Sequence, residues 1–88
     1  IYTVPVTGGN ATLLTISDAY DFMPVWSPDG KFIAFSSDRY SNSDVFVMPS
    51  TGGTATRLTH HSSGDYPSDF TPDGQNIIFT SVRLDDVR

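Results

Sequence analysis

The hydrophobic residues of this chain fall in short runs, separated by glycine, proline and acidic residues. Two of the runs, FIAF at 32–35 and VFVM at 45–48, are apolar without the strict alternation of a half-exposed strand. Such runs, rich in β-branched and aromatic residues and bounded by turn residues, are typical of β-strands covered on both faces. We therefore predict an all-β chain whose middle strands lie between two other layers.

Turn signals divide the chain into eight predicted strands. Pro28-Asp29-Gly30 and Pro72-Asp73-Gly74 each follow a short strand and precede a longer one. Proline presets φ for the second position of such a turn, and glycine supplies the positive φ that closes it. The Thr-Gly-Gly sequences at 7–9 and 51–53 mark two further turns. The predicted strands are 1–6, 11–15, 23–27, 32–37, 44–48, 55–59, 68–71 and 77–81.

The whole pattern occurs twice. Shifted by 44 residues, the chain aligns with itself without a gap, and 16 of the 44 aligned pairs are identical. Repeats of roughly 40–45 residues built from short strands indicate β-propeller blades, each a four-stranded antiparallel sheet packed between two neighbours. Residues 1–88 then form a single propeller segment, with repeat one at 1–44 and repeat two at 45–88. A two-sheet sandwich is the structural alternative, but it does not require a gapless period.

The blades are out of phase with the repeats. Residues 1–15 are typical of the outer two strands of one blade, 23–59 of a whole blade, and 68–81 of the inner two strands of another. We predict a half blade, a full blade and a half blade, with an unpaired edge on each half. Exposed edges promote association. Either further chain continues the ring on both sides, or three or four copies complete one another.

One motif connects the repeat with a known family. The sequence WSPDGKFIAFSSDR from Trp26, with DVFVMP from Asp44, TGG from Thr51 and RLT from Arg57, resembles the WD40-like PD40 repeats. These repeats occur in TolB, in the N-terminal propellers of tricorn-like proteases and in related envelope proteins. The resemblance covers both copies, and the double glycine is more similar to the tricorn type. The Trp-Asp dipeptide of true WD40 blades is absent, because Ser27 follows Trp26.

The resemblance implies a non-catalytic propeller, located in the periplasm or cell envelope, that binds proteins or guides peptides toward a separate protease domain. The expected partners are other propeller blades, from the same parent chain or from other copies, and a peptide or protein ligand. Ile1 is not an initiator methionine, so we interpret the chain as a piece of something longer. Two other hypotheses stay open: a propeller enzyme with a site in the channel, and a purely structural unit that assembles into a ring.

Composition excludes several other classes of function. The formal net charge is −5, and the five Lys and Arg residues form no basic cluster, which argues against nucleic-acid binding. No apolar run approaches the roughly 18 residues of a membrane span, so we expect no membrane insertion. The chain has no cysteine and therefore no thiolate metal site. We expect no cofactor and no metal, and the sequence shows no Gly-x-Ser-x-Gly motif.

Four charged residues recur at equivalent positions and are the candidate site. Asp21 and Asp65 directly precede the inner strand of each blade, where an acidic channel mouth would meet cationic peptide ends. Arg39 and Arg83 follow the second strand and are candidates for a ligand clamp. The simpler interpretation makes the aspartates satisfy their loops and the arginines form structural hydrogen bonds or ion pairs between blades.

Other polar and aromatic residues have a structural interpretation as well as a functional one. Asp29 and Asp73 occupy turns, where a carboxylate usually bonds its own backbone. The adjacent His60-His61 pair would point to opposite sides of an extended loop and makes a poor metal site. Aromatic residues in or beside the connections form either a binding rim or packing under the loops; they are Tyr20, Phe22, Tyr40 and Tyr66.

Overall fold

The computed structural model describes residues 1–17, 19–60 and 63–82, and every regular element in these ranges is a β-strand. The strands are short because turn residues interrupt the chain every few positions. No helix in the described part of the chain is long and apolar enough to cross a membrane. The strands, in chain order, are β1 (Tyr2–Thr3), β2 (Thr12–Leu13), β3 (Asp21–Trp26), β4 (Phe32–Tyr40), β5 (Asn42–Pro49), β6 (Thr56–Arg57), β7 (Gly64–Phe70) and β8 (Ile77–Val82).

Strands β3 to β6 form one complete antiparallel blade. β4 pairs with β3 on one side and β5 on the other, and β5 pairs in turn with β6. β1 pairs with β2, and β7 with β8, so each of these hairpins is half a blade. β5 also pairs with β7 in parallel at one position, where Ser43 lies opposite Gly64. The predicted order of half blade, full blade and half blade is confirmed.

The central blade is covered on both faces, which explains why its middle strands are continuously apolar. Successive side chains of these strands point to opposite faces of the sheet. Ala34 and Val45 are buried on one face, and Phe70 of the second half blade is buried as well. The other face packs against the first half blade in a hydrophobic cluster of Leu14, Ile33, Phe35, Phe46 and Met48.

The hairpin of β4 and β5 is longer than the sequence predicts. β4 continues to Tyr40 and β5 begins at Asn42, where the polar composition of 38–43 predicts a loop. Ser41 turns the chain with a φ of 86°. The Tyr40 ring stacks on Phe46, with centroids 6.1 Å apart. This aromatic contact extends the packed region beyond the apolar run, so hydropathy alone ends the strands too early.

The inner strands also begin earlier than predicted. β3 starts at Asp21 and β7 at Gly64, whereas the pattern places the starts at 23 and 68. Each strand contains a register shift next to a proline, and Met23 in the first shift has a φ of 57°. A bulge accommodates a residue that cannot donate to the ladder. Pro24 and Pro67 therefore lie inside the two inner strands.

The two Pro-Asp-Gly turns have the same internal bonding. Asp29 Oδ1 accepts hydrogen bonds from Ser27 Oγ at 2.7 Å and from the Lys31 amide at 3.0 Å. Asp73 repeats the arrangement in the second turn. The bond from the Ser27 hydroxyl, followed by the amide bond, lowers the pKa of Asp29 below its ordinary value. The prediction that these carboxylates bond their own turns is confirmed.

Candidate functional site

Asp21, Ser37 and Arg39 form a polar cluster inside the central blade. The antiparallel register puts Asp21 of β3 opposite Ser37 of β4, and Arg39 follows two residues later. Arg39 Nη2 lies 3.1 Å from Asp21 Oδ1, and Arg39 Nε donates to Ser37 Oγ at 2.9 Å. The ion pair therefore lies within one blade and not between two blades as the sequence suggests, because strand pairing alone brings the two side chains together.

The Asp21 carboxylate is almost fully buried and accepts several hydrogen bonds. Burial raises its pKa, but hydrogen bonds from Ser37, Arg39 and Thr15 and the charge of Arg39 outweigh that effect, so the pKa is lowered overall. Ser17 Oγ donates a further bond to Asp21 Oδ2 at 3.2 Å. At neutral pH the carboxylate is ionised and holds its neighbours in place.

The guanidinium of Arg39 also covers the end of the aromatic core. Its Cζ lies 4.6 Å from the ring centroid of Phe46 and 5.7 Å from that of Phe35. The two rings stack on each other at 5.8 Å. A guanidinium over an aromatic ring is attracted by the ring quadrupole. Arg39 thus connects the charged cluster to the hydrophobic core.

Asp65 repeats part of this arrangement in the second half blade. Ser81 Oγ donates to Asp65 Oδ1 at 2.6 Å, and the equivalent Ser37 hydrogen-bonds Asp21 in the central blade. Ser36 Oγ of β4 donates to the Asp65 backbone carbonyl at 2.8 Å and so connects two blades through a buried bond. Arg83, the repeat partner of Arg39, lies outside the described residues. The ligand role of these four predicted residues stays a prediction.

A second ion pair, between Arg57 and Asp44, is not predicted from the sequence. Arg57 Nη2 lies 2.9 Å from the buried Asp44 Oδ2, without the alignment of a hydrogen bond. The Arg57 guanidinium also lies 4.6 Å from the ring centroid of Tyr40, which ties that tyrosine to the outer side of the blade. Leu13 and Arg88 occupy the equivalent repeat positions, so comparison of the repeats gives no signal for this pair.

Four large side chains lie at or near the start of the two inner strands. We call Tyr20, Phe22, Met23 and Tyr66 the inner-strand patch. The Phe22 and Tyr66 rings are 6.1 Å apart, so the patch bridges two blades. Tyr20 and Met23 are among the exposed large side chains. Gly64 leaves room for Tyr66, because a Cβ at that position would meet the tyrosine hydroxyl.

Among residues 1–17, 19–60 and 63–82, no group of three or more His, Cys, Asp or Glu side chains could hold a metal ion. His60 lies within these ranges, but the adjacent His61 does not. A cleft of about 380 Å³ between the two Pro-Asp-Gly turns is lined by Asp29 and Asp73. Both carboxylates already bond their own turns there.

The repeat, the pairing of the strands and the shared turns define a segment of a β-propeller. The family model of the tricorn protease N-terminal β-propeller domain matches residues 1–87, and the chain belongs to this family. The solved structure of a putative TolB from Agrobacterium tumefaciens is similar, with 28% identity over 99% of this chain and a TM-score of 0.82. This chain spans 31% of the length of that chain.

Proposed function

We propose that this propeller segment is non-catalytic and binds peptide or protein segments in the periplasm or cell envelope. The inner-strand patch is the proposed contact surface. The observation that carries the proposal is the exposure of Tyr20 and Met23, which are close in the sequence to Phe22. The Phe22 ring itself contacts Tyr66 of the next blade. The envelope location rests on the resemblance to TolB-like repeats.

The ionisation of three carboxylates supports the non-catalytic part of the proposal. Asp21, Asp29 and Asp73 each have a pKa below the ordinary value. A general acid or base works best when its pKa lies near the working pH, which for a carboxyl group means a raised pKa. These three groups are shifted in the opposite direction and are held by internal hydrogen bonds.

The chemistry of the patch and the charge of the chain suggest the type of ligand. Tyrosine and phenylalanine offer large apolar faces, and the methionine thioether adapts to irregular partners. The net charge of −5 attracts cationic molecules. We therefore propose extended peptides that combine leucine or phenylalanine with lysine, and expect peptides with glutamate in place of lysine to bind more weakly.

Fluorescence anisotropy with labelled peptides of these two compositions tests the proposal. The double variant Tyr20→Ser, Met23→Ser removes exposed apolar surface without deleting a core residue. We expect it to weaken binding of the cationic peptide about tenfold, which corresponds to about 1.4 kcal/mol. Val6→Ser is the control, because Val6 is an exposed apolar residue outside the patch, in the turn region between β1 and β2.

Three results would contradict the proposal. The first is an equal loss of affinity in the patch variant and in the Val6 control, and the second is no binding of either peptide by the parent chain. The third is cleavage of the peptides by the purified chain, followed by mass spectrometry, which would make the chain an enzyme.

A further inference from the structure

Tyr20, which directly precedes β3, is held in place by one residue of β4. The Tyr20 amide donates a hydrogen bond to Asp38 Oδ1 at 3.0 Å, and the Asp38 amide donates to the Tyr20 carbonyl at 3.2 Å. Asp38 lies two residues beyond Ser36, which pairs with Phe22 of the inner-strand patch. Tyr20 is 78% exposed, more than any other side chain of the patch. Asp38 is therefore fixed beside the most accessible part of the proposed contact surface.

The internal contacts of Asp38 use one carboxylate oxygen and leave the other available. In the described part of the chain, Asp38 Oδ2 accepts no hydrogen bond and Asp38 forms no ion pair, and the side chain is partly exposed. Asp21 and Asp44 of the same blade are buried instead, beside Arg39 and Arg57. The arginines compensate those two charges, whereas the charge of Asp38 can act on a ligand at the patch.

We propose that Asp38 makes the inner-strand patch select peptides with lysine over peptides with glutamate. This inference rests on the proposed function, in which the net charge of the whole chain provides the preference. Asp38 Oδ1 keeps Tyr20 in position, and Oδ2 accepts a hydrogen bond from the ammonium group of a lysine in a peptide that packs on the Tyr20 ring. The flexible four-carbon stem of lysine allows this reach. A glutamate at the same place would put two like charges together, which disfavours binding.

The length of the β3–β4 hairpin allows this local effect to be separated from the net charge. β3 has six residues and extends over about 20 Å, at about 3.3 Å per residue. Asp38 lies at one end of the hairpin, and Asp29 lies in the turn at the other end. Screening weakens interactions between exposed charges beyond about 10 Å at roughly 0.1 M ionic strength. Asp29 therefore contributes to the net charge but has little effect at the patch.

Fluorescence anisotropy at roughly 0.1 M ionic strength tests the proposal, with three labelled peptides that carry lysine, glutamine or glutamate at the same positions. Asp38→Asn removes the charge but keeps an oxygen that can accept the bond from the Tyr20 amide. We expect it to lower the ratio of lysine-peptide to glutamate-peptide affinity about fivefold, and to bind the glutamine peptide as the parent does. Asp29→Asn is the matched control, because it changes the net charge equally and asparagine also suits a turn. Its ratio should equal that of the parent.

Asp38→Ala separates the positioning of Tyr20 from the charge. This variant also lacks the acceptor for the Tyr20 amide, so we expect it to bind the glutamine peptide more weakly than the parent does. Hydrogen exchange of the Tyr20 amide, measured by NMR without peptide, should be at least tenfold faster than in the parent, about as fast as in other open segments. Asp38→Asn should restore both properties.

Four results would overturn the proposal. An equal fall of the affinity ratio in Asp38→Asn and Asp29→Asn would assign the preference to net charge, and an unchanged ratio in both would exclude Asp38 as its source. Either result leaves the proposed function standing as long as the glutamine peptide binds. Unchanged exchange of the Tyr20 amide in Asp38→Ala would refute the positioning role, whether or not peptides bind. No binding of any of the three peptides by the parent would contradict the proposed function as well.

Discussion

At the scale of single residues, the charged side chains of the central blade act as internal supports. Arg39 contacts the Asp21 carboxylate, the Ser37 hydroxyl and the Phe46 ring at the same time. A guanidinium suits this position because its planar form offers donors at its edge and a face for stacking. The cluster therefore couples the inner strand to the core, and its loss is expected to lower stability.

We predict that Asp21→Asn lowers the free energy of unfolding by about 1–3 kcal/mol at pH 7, because Arg39 loses its charged partner. The pKa of Asp21 is lower in the folded chain than in the unfolded chain. Its stabilisation is therefore fully present above the unfolded pKa, about 3.9, and is lost as the pH falls through the folded pKa. Urea unfolding at pH 7 and pH 3 measures the difference.

Between pH 7 and pH 3, the Asp21→Asn variant is expected to lose less stability than the parent chain does, when both are measured at one protein concentration. Asp69→Asn replaces an exposed aspartate outside the cluster and controls for the loss of one negative charge. An unchanged acid dependence in Asp21→Asn would show that the cluster is not a source of it.

The second ion pair gives a different prediction. Arg57→Leu leaves the buried Asp44 carboxylate without its cation, and we expect a loss of about 2–4 kcal/mol in the free energy of unfolding. Adding Asp44→Val removes the stranded charge, so the double variant should be more stable than Arg57→Leu alone. Chemical denaturation of the two variants and the parent checks this order. A double variant less stable than Arg57→Leu would contradict the argument.

At the scale of elements, the Pro-Asp-Gly turns fix the hairpins. Both turn glycines have a φ of 73°, and nothing lies within 4 Å of a Cβ built on Gly30. Gly30→Ala therefore tests the backbone alone, without a clash, and should cost about 1–2 kcal/mol. Gly30→Asn should cost less, because asparagine tolerates the left-handed region better. Thermal unfolding compares the two, and an equal loss would refute a backbone origin.

The sequence predicts the turns and hairpins well, because each turn depends on a few neighbouring residues. Asp29 and Gly30 carry the turn within themselves, so the hairpin can be inferred from three residues. The ends of the strands are different, because Tyr40 extends β4 through a ring contact with Phe46 that only the folded chain creates. Turns that depend on neighbouring residues can be predicted from the sequence. Contacts between distant residues could be anticipated only where the residues recur in both repeats.

The residues of the candidate site could likewise be predicted only in part. Asp21 and Arg39 stand out because both recur 44 residues later, although their direct contact depends on the register of β3 and β4. Asp44 and Arg57 do not recur as a pair, so their ion pair needs the structure. Comparison of the two repeats therefore identifies residues that recur in each blade, but it does not identify contacts that occur in one blade alone.

At the scale of the whole molecule, two equivalent positions of the repeat differ in how far the fold covers them. Trp26 is 55% exposed, whereas Phe70 at the equivalent position of the next repeat is 7% exposed. The strand that carries Phe70, β7, packs against β3, β4 and β5 of the central blade. Phe70 should therefore contribute more to the stability of this chain than Trp26 does.

We predict that Phe70→Ala lowers the free energy of unfolding by about 3–5 kcal/mol, because it removes a buried ring and leaves a cavity beside the central blade. Trp26→Ala at the equivalent repeat position is the matched control and should cost less, since about half of that side chain is already exposed to water. Urea unfolding of the two variants and the parent chain at one protein concentration measures both losses. A loss in Trp26→Ala as large as that in Phe70→Ala would contradict the argument.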